Sequence, residues 1–161
     1  MVKCAYPPSE NPILYEGYIY LVDVLGNIYK IDPESGDIVW KRGLGDGRRY
    51  VYWGPLAAYD NKLAIAFDDW EGEERDVLFI FDTAEQKIVK AHPVYGSLNR
   101  ISLYNPLGRY IIIKSKDFYV FDVEAGNAKW STSKEVEMVG KPCERRRFFY
   151  VEGNGDFKIY E

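Results

Sequence analysis

The sequence predicts an all-β chain folded as a small four-bladed β-propeller of four-stranded antiparallel blades. Three observations carry this expectation. One hairpin pattern recurs along the chain at nearly regular spacing. Residues suited to a pleated, half-buried surface are abundant. No stretch keeps a helical period over about 11 residues.

The first hairpin runs from Asn27 to Trp40. Ile28 to Ile31 reads as a strand, Asp32 to Asp37 as a turn rich in Asp, Pro, Ser and Gly, and Ile38 to Trp40 as the return strand. Asp76 to Lys90 repeats the pattern, with Val77 to Asp82 leading and Ile88 to Lys90 returning. Asp117 to Trp130 repeats it again, with Phe118 to Asp122 and Ala128 to Trp130. Asp156 to Glu161 begins a fourth copy whose strand is Phe157 to Tyr160. The acidic residues that end the leading strands are Asp32, Asp82, Asp122 and Glu161, spaced by 50, 40 and 39 residues. Periods near 40 made of short strands are those of a propeller blade.

Two more strands precede each hairpin and complete a blade of strands a to d. Blade one begins with Pro12 to Tyr15, a Glu16-Gly17 turn and Tyr18 to Val22. Blade two begins with Pro55 to Tyr59, an Asp60-Asn61 turn and Leu63 to Phe67. Blade three begins with Ile101 to Tyr104, a turn from Asn105 to Gly108 and Tyr110 to Ile113. Blade four begins with Lys141 to Glu144, a basic turn at Arg145-Arg146 and Phe148 to Val151. The blades thus occupy about 12–41, 54–91, 100–131 and 141–161 within a single domain. Blade four lacks strand d, and Val2 to Tyr6 is a strand to spare. The N-terminal strand is therefore expected to close the last blade and join the two ends of the ring.

Composition narrows the function. A net charge of −4 gives no reason to expect nucleic-acid binding. No apolar run approaches the ~18 residues of a membrane-spanning helix, so no membrane partner is expected. Met1 leads into Val2-Lys3-Cys4-Ala5-Tyr6 and two prolines, which is not a signal peptide, so the cytoplasm is the expected compartment. Cys4 and Cys143 form no CxxC pair, and His92 is the sole histidine, so neither a disulfide framework nor a two-histidine metal site is expected. The single Gln, the two Cys and two Met and the 29% of charged residues are compatible with a thermophilic source.

The hairpins resemble the PQQ-like repeat of quinoprotein dehydrogenases and of outer-membrane assembly lipoproteins. That repeat has an aliphatic strand, an Asp, a short turn with Gly, and a Trp four residues after the Gly. Asp32, Gly36 and Trp40 match it in blade one, and Asp122, Gly126 and Trp130 in blade three. Blade two keeps Asp82 but has Gln86 and Lys90 at the other places, and blade four keeps Glu161. The resemblance implies that Trp40 and Trp130 dock between neighbouring blades. The family usually builds eight blades, twice the number here. Its cofactor does not carry over, because adjacent cysteines and the acidic calcium cluster have no counterpart. No cofactor and no metal are expected.

The candidate binding residues follow from topology. In an a-b-c-d blade the b–c turns and the d-to-a connections leave from one face. The connections Lys41 to Gly54, Ala91 to Arg100 and Ser131 to Gly140 are long, and the acidic loop Asp68 to Asp76 opens on the same face. Long loops carry function disproportionately. Arg48, Arg49, Tyr50, Tyr52, Trp53, Asp68, Asp69, Trp70 and His92 are placed there. Arginines beside aromatics dominate binding hot spots and can stack on or clamp a ligand. The expected function is a non-enzymatic interaction module with a protein or peptide partner on this face. One alternative is a hydrolase using carboxylates near the central channel. The other is half of an eight-bladed homodimeric ring, in place of the monomer otherwise expected.

Overall fold

The computed structural model describes residues 12–44, 50–51, 56–69, 75–95, 102–104, 108–114, 118–132, 136–139, 148–152 and 157–160. Every regular element among them is a strand. Blade one is the meander β1 (Ile13–Tyr15), β2 (Tyr18–Val22), β3 (Asn27–Ile31) and β4 (Ile38–Gly43), antiparallel in chain order. Blade two contains β5 (Tyr50–Val51), β6 (Leu56–Tyr59), β7 (Lys62–Asp69), β8 (Arg75–Asp82) and β9 (Lys87–Tyr95). Blade three is β10 (Ser102–Tyr104), β11 (Tyr110–Lys114), β12 (Phe118–Asp122) and β13 (Asn127–Thr132). The last sheet is β14 (Val136–Val139), β15 (Phe148–Glu152) and β16 (Phe157–Tyr160).

The a–b turns are set by residues that tolerate left-handed backbone. Glu16 and Gly17 have φ of 49° and 78°, and Asp60 and Asn61 have 46° and 57°. Two consecutive positive φ values make the tight hairpin turn whose twist matches the flanking strands.

The c–d hairpins share one construction. Asp32 accepts the amides of Glu34 and Ser35, Asp82 those of Ala84 and Glu85, and Asp122 that of Ala125. Such local bonds let aspartate close a turn. Four residues on, the backbone turns left-handed in each, at Gly36, Gln86 and Gly126. A bulge follows at matching register. Trp40, Lys90 and Trp130 lie opposite Lys30, Ile80 and Val120, while Ile38, Ile88 and Ala128 lie opposite the next residue. The extra residue is Val39, Val89 or Lys129.

Strand alternation builds the seams between blades. Leu56, Ala58, Leu63, Ile65, Phe67, Phe79 and Phe81 of blade two pack with Tyr20, Val22 and Ile28 of blade one. The opposite face of blade two, Ala57, Ala64, Ala66, Leu78, Ile80 and Val94, packs with Ile111, Ile113, Tyr119 and Phe121 of blade three. Trp40 stands in the first seam, its ring 6.1 Å from Tyr20 and 5.9 Å from Phe81. This is the inter-blade docking that the repeat implies. Lys90 takes the matching place in the second seam. It donates to the Ala125 carbonyl at 3.4 Å and lies against Gly126, where an added Cβ would meet its Cδ at 2.8 Å.

The structure corrects several expectations. Tyr50 forms a short strand, β5, where a connection was expected. Asp68 and Asp69 end strand β7 instead of opening a loop, and β8 begins at Arg75. His92 lies inside β9, opposite Leu78, and does not follow the strand. In the last sheet Val136–Val139 pairs with β15, in a stretch expected to be a connection, while the expected strand at Lys141 to Glu144 lies outside the described residues. Val136-Glu137-Met138-Val139 supplies the pairing instead. The N-terminal strand at Val2 to Tyr6 and its closure of the ring lie outside the described residues.

Candidate functional site

The b–c ends of blades one and two differ because one position differs. In blade one that position is Asp23. It is fully buried, and its carboxylate accepts the amides of Leu25 and Asn27, the Asn27 side-chain amide and the Tyr29 hydroxyl, all between 2.8 and 3.0 Å. Buried carboxylates persist when every lone pair is used in this way. The chain therefore turns at once, with Gly26 at φ 76°. In blade two the registers place Phe67 where Asp23 stands, and Phe79 where Tyr29 stands. These two rings meet edge to face at 5.5 Å. No acceptor closes a turn there, and the strands run on.

The result is a raised tip on blade two. β7 and β8 pair from Lys62–Asp82 to Phe67–Val77, and beyond that pair β7 runs on to Asp69 and β8 starts at Arg75. On one side Tyr50 pairs with Asp69 and Val51 with Asp68. On the other side Arg75 pairs with Tyr95 and Asp76 with Val94. Tyr50–Asp69 and Arg75–Tyr95 are thus the last pairs on the two flanks of the tip. Two added residues per strand carry it about 7 Å beyond the Phe67–Val77 pair, at ~3.4 Å per residue. The structure therefore brings Tyr50, Asp68 and Asp69 together. Arg48, Arg49, Tyr52, Trp53 and Trp70 lie outside the described residues.

His92 does not join them. It sits three rows below the Arg75–Tyr95 pair, half-buried in the seam with blade three. Its ring meets Phe121 edge to face at 5.3 Å. Burial, aided by the charge of Lys90, pushes its pKa below the usual 6.5. A neutral ring packed on an aromatic is a seam residue.

The strongest described charge cluster lies on the opposite face, at the a–b and c–d turns of blade three. Arg109 donates to both oxygens of Asp122 at 2.9–3.2 Å and pairs with Glu124 at 2.7 Å. Lys129 approaches Asp122 at 3.7 Å. Burial pushes the Asp122 carboxyl up, but the bonds from Arg109 and Ala125 and the nearby charges outweigh it and hold the pKa low. Asp23 and this cluster are the polar sites that the sequence reading missed. The Asp-x-x-Gly-Asn run at Asp23 to Asn27 was the available signal for the first.

No protein-family model matches the chain, and no curated protein does. Solved structures do. The chain is similar to the quinohemoprotein alcohol dehydrogenase ADHIIG from Pseudomonas putida HK5, at 12% identity and a TM-score of 0.60 over 92% of this chain and 32% of that one. It is similar to BamB from Moraxella catarrhalis, at 13% identity and 0.54 over 99% and 54%. It is also similar to the computationally designed Ika4 protein, at 12% identity and 0.62 over 98% and 92%. The chain thus spans a third to about half of the two natural proteins and nearly the whole of the designed one. At these identities the likeness is one of fold. The molecule is an all-β chain of propeller blades, consistent with the PQQ-like repeat.

Proposed function

We propose that the protein is a non-enzymatic interaction module that holds a protein or peptide partner on the face of the b–c turns and d-to-a connections. One observation carries this reading. On that face blade two extends β7 and β8 two residues past their last mutual pair, and Tyr50–Val51 of the connection pairs with β7 there. A solvated loop needs no such pairing. The tip alternates aromatic, acidic and basic positions, and Arg48 and Arg49 immediately precede it in sequence. Propellers resembling this one supply a rigid ring on which such projections can be mounted.

The test is binding by a triple variant, Arg48→Ala, Arg49→Ala and Trp70→Ala. Whatever partner the wild-type chain captures should be lost, with the melting temperature almost unchanged. Arg109→Ala and Lys129→Ala on the opposite face should bind normally. Retention by the triple variant with loss in the Arg109 or Lys129 variants would move the site to the other face. The hydrolase alternative calls for a carboxyl pushed upward to serve as an acid. Asp122, the carboxyl displaced among the described residues, moves downward and is held by Arg109.

A further inference from the structure

One side chain in the first seam departs from the repeat. Tyr20, Lys30 and Trp40 lie opposite one another on β2, β3 and β4 and share one face of blade one. The matching row is Ala64, Ile80 and Lys90 in blade two, and Ile112, Val120 and Trp130 in blade three. The middle position is apolar in those two blades and a lysine in blade one. Among these three blades, aromatic rings flank that position on both sides in blade one alone.

Ring faces hold the lysine head. Its Nζ lies 3.8 Å from the centre of the Tyr18 ring and 5.8 Å from that of Tyr20. Among the described residues it has no carboxylate partner and no hydrogen-bond acceptor. The walls around it are fixed. Tyr20 is buried, and Trp40 is wedged between it and Phe81. Tyr18 packs against the same cluster. Lys30 is half-buried, close to the Glu16-Gly17 turn and to the c–d turn that begins at Asp32. This is the face opposite the raised tip of blade two.

Fixed rings around a cation tied to nothing else are the arrangement that recognises alkylammonium groups. Exchange of the lysine for such a guest is favourable. A primary ammonium is compact and strongly hydrated, so Lys30 regains hydration when it swings into water. A methylated ammonium has fewer N–H groups to hydrate and more apolar surface to lay on the rings. We propose that Tyr18, Tyr20 and Trp40 form a binding site for an alkylammonium ligand, with Lys30 as its built-in, displaceable occupant. The site does not rest on the partner-binding face described above.

The experiment is an NMR chemical-shift titration of the full chain with tetramethylammonium chloride at constant ionic strength. Lys30→Ala vacates the site. Its dissociation constant should be at least roughly tenfold lower than that of the wild type, with shifts centred on the rings of Tyr18, Tyr20 and Trp40. Adding Tyr18→Leu to Lys30→Ala should abolish saturation. tert-Butanol, neutral and of similar shape, should bind far more weakly. Equal constants for wild type and Lys30→Ala would show that Lys30 does not occupy the site. Equal binding of tert-butanol would show an apolar hole in place of a cation site. Either result overturns the proposal, as does the lack of a saturable shift in Lys30→Ala. Should Lys30→Ala lose its far-ultraviolet β spectrum, Lys30→Gln replaces it, removing the charge but keeping much of the stem. Its constant should also fall below that of the wild type, and an unchanged constant would reject the site.

Discussion

Two residues show how far single positions control this fold. Gln86 has φ 54° at the turn position that glycine fills in blades one and three. A side chain there costs roughly 1–2 kcal/mol of backbone strain, offset in part by the greater freedom of an unfolded glycine. Gln86→Gly should therefore stabilise by about 0.5–1 kcal/mol in urea denaturation; a loss of stability would show that the Gln86 side chain holds the turn. His92 gives a pH dependence. Its folded pKa is depressed, so the fold prefers the neutral ring. The contribution is fully present above the unfolded pKa of about 6.5 and is lost as pH falls through the lower folded value. Wild type and His92→Phe should melt in parallel above about pH 7, with wild type falling behind below about pH 6.5. Parallel melting throughout would place His92 outside the seam.

At the scale of elements, the seams decide which side chains matter. Trp40 is wedged between Tyr20 and Phe81, so Trp40→Ala should cost about 3 kcal/mol, the lower end for a buried aromatic. Lys90 occupies the same register, and its stem lies on Gly126. Lys90→Ala should then cost measurably less than the tryptophan change without being silent, about 0.5–1 kcal/mol from lost packing. Equal costs at the two positions would contradict the shared register. The c–d hairpins were legible because Asp, Gly and the apolar alternation sit at fixed offsets. The length of β7, β8 and β9 was not legible. Asp68, Asp69, Arg75 and Asp76 carry loop chemistry, and their strand conformation comes from pairing with β5 and β9. His92 misled for a related reason: Pro93 reads as a strand end, yet it lies opposite Val77 on the edge strand, where no N–H is required. The start of the last sheet misled because Pro142 repeats the Pro12 and Pro55 pattern that precedes earlier blades.

For the whole molecule, the arithmetic of about 40 residues per blade was readable from the acidic residues alone. Ring size was not, since the repeat sets what each blade contains and leaves open how many are joined. Closure of two chains into one eight-bladed ring, the alternative to a monomer, has a thermodynamic signature. If part of the stability comes from a second copy, the melting midpoint should rise with protein concentration, as mass action requires. A midpoint independent of concentration would belong to a ring closed within one chain.

The order of pairing bears on how the chain is made. In blades one and three every strand hydrogen-bonds to its neighbour in sequence. Contacts so local need little loop closure, which places such meanders among the faster β topologies. A blade can thus be finished while the next is still being synthesised, at roughly 5–20 residues per second. Blade two is the exception, because Tyr50–Val51 must wait for Asp68–Asp69 to arrive. The tip is then the last part of that sheet to settle, after the hairpins on either side of it have formed.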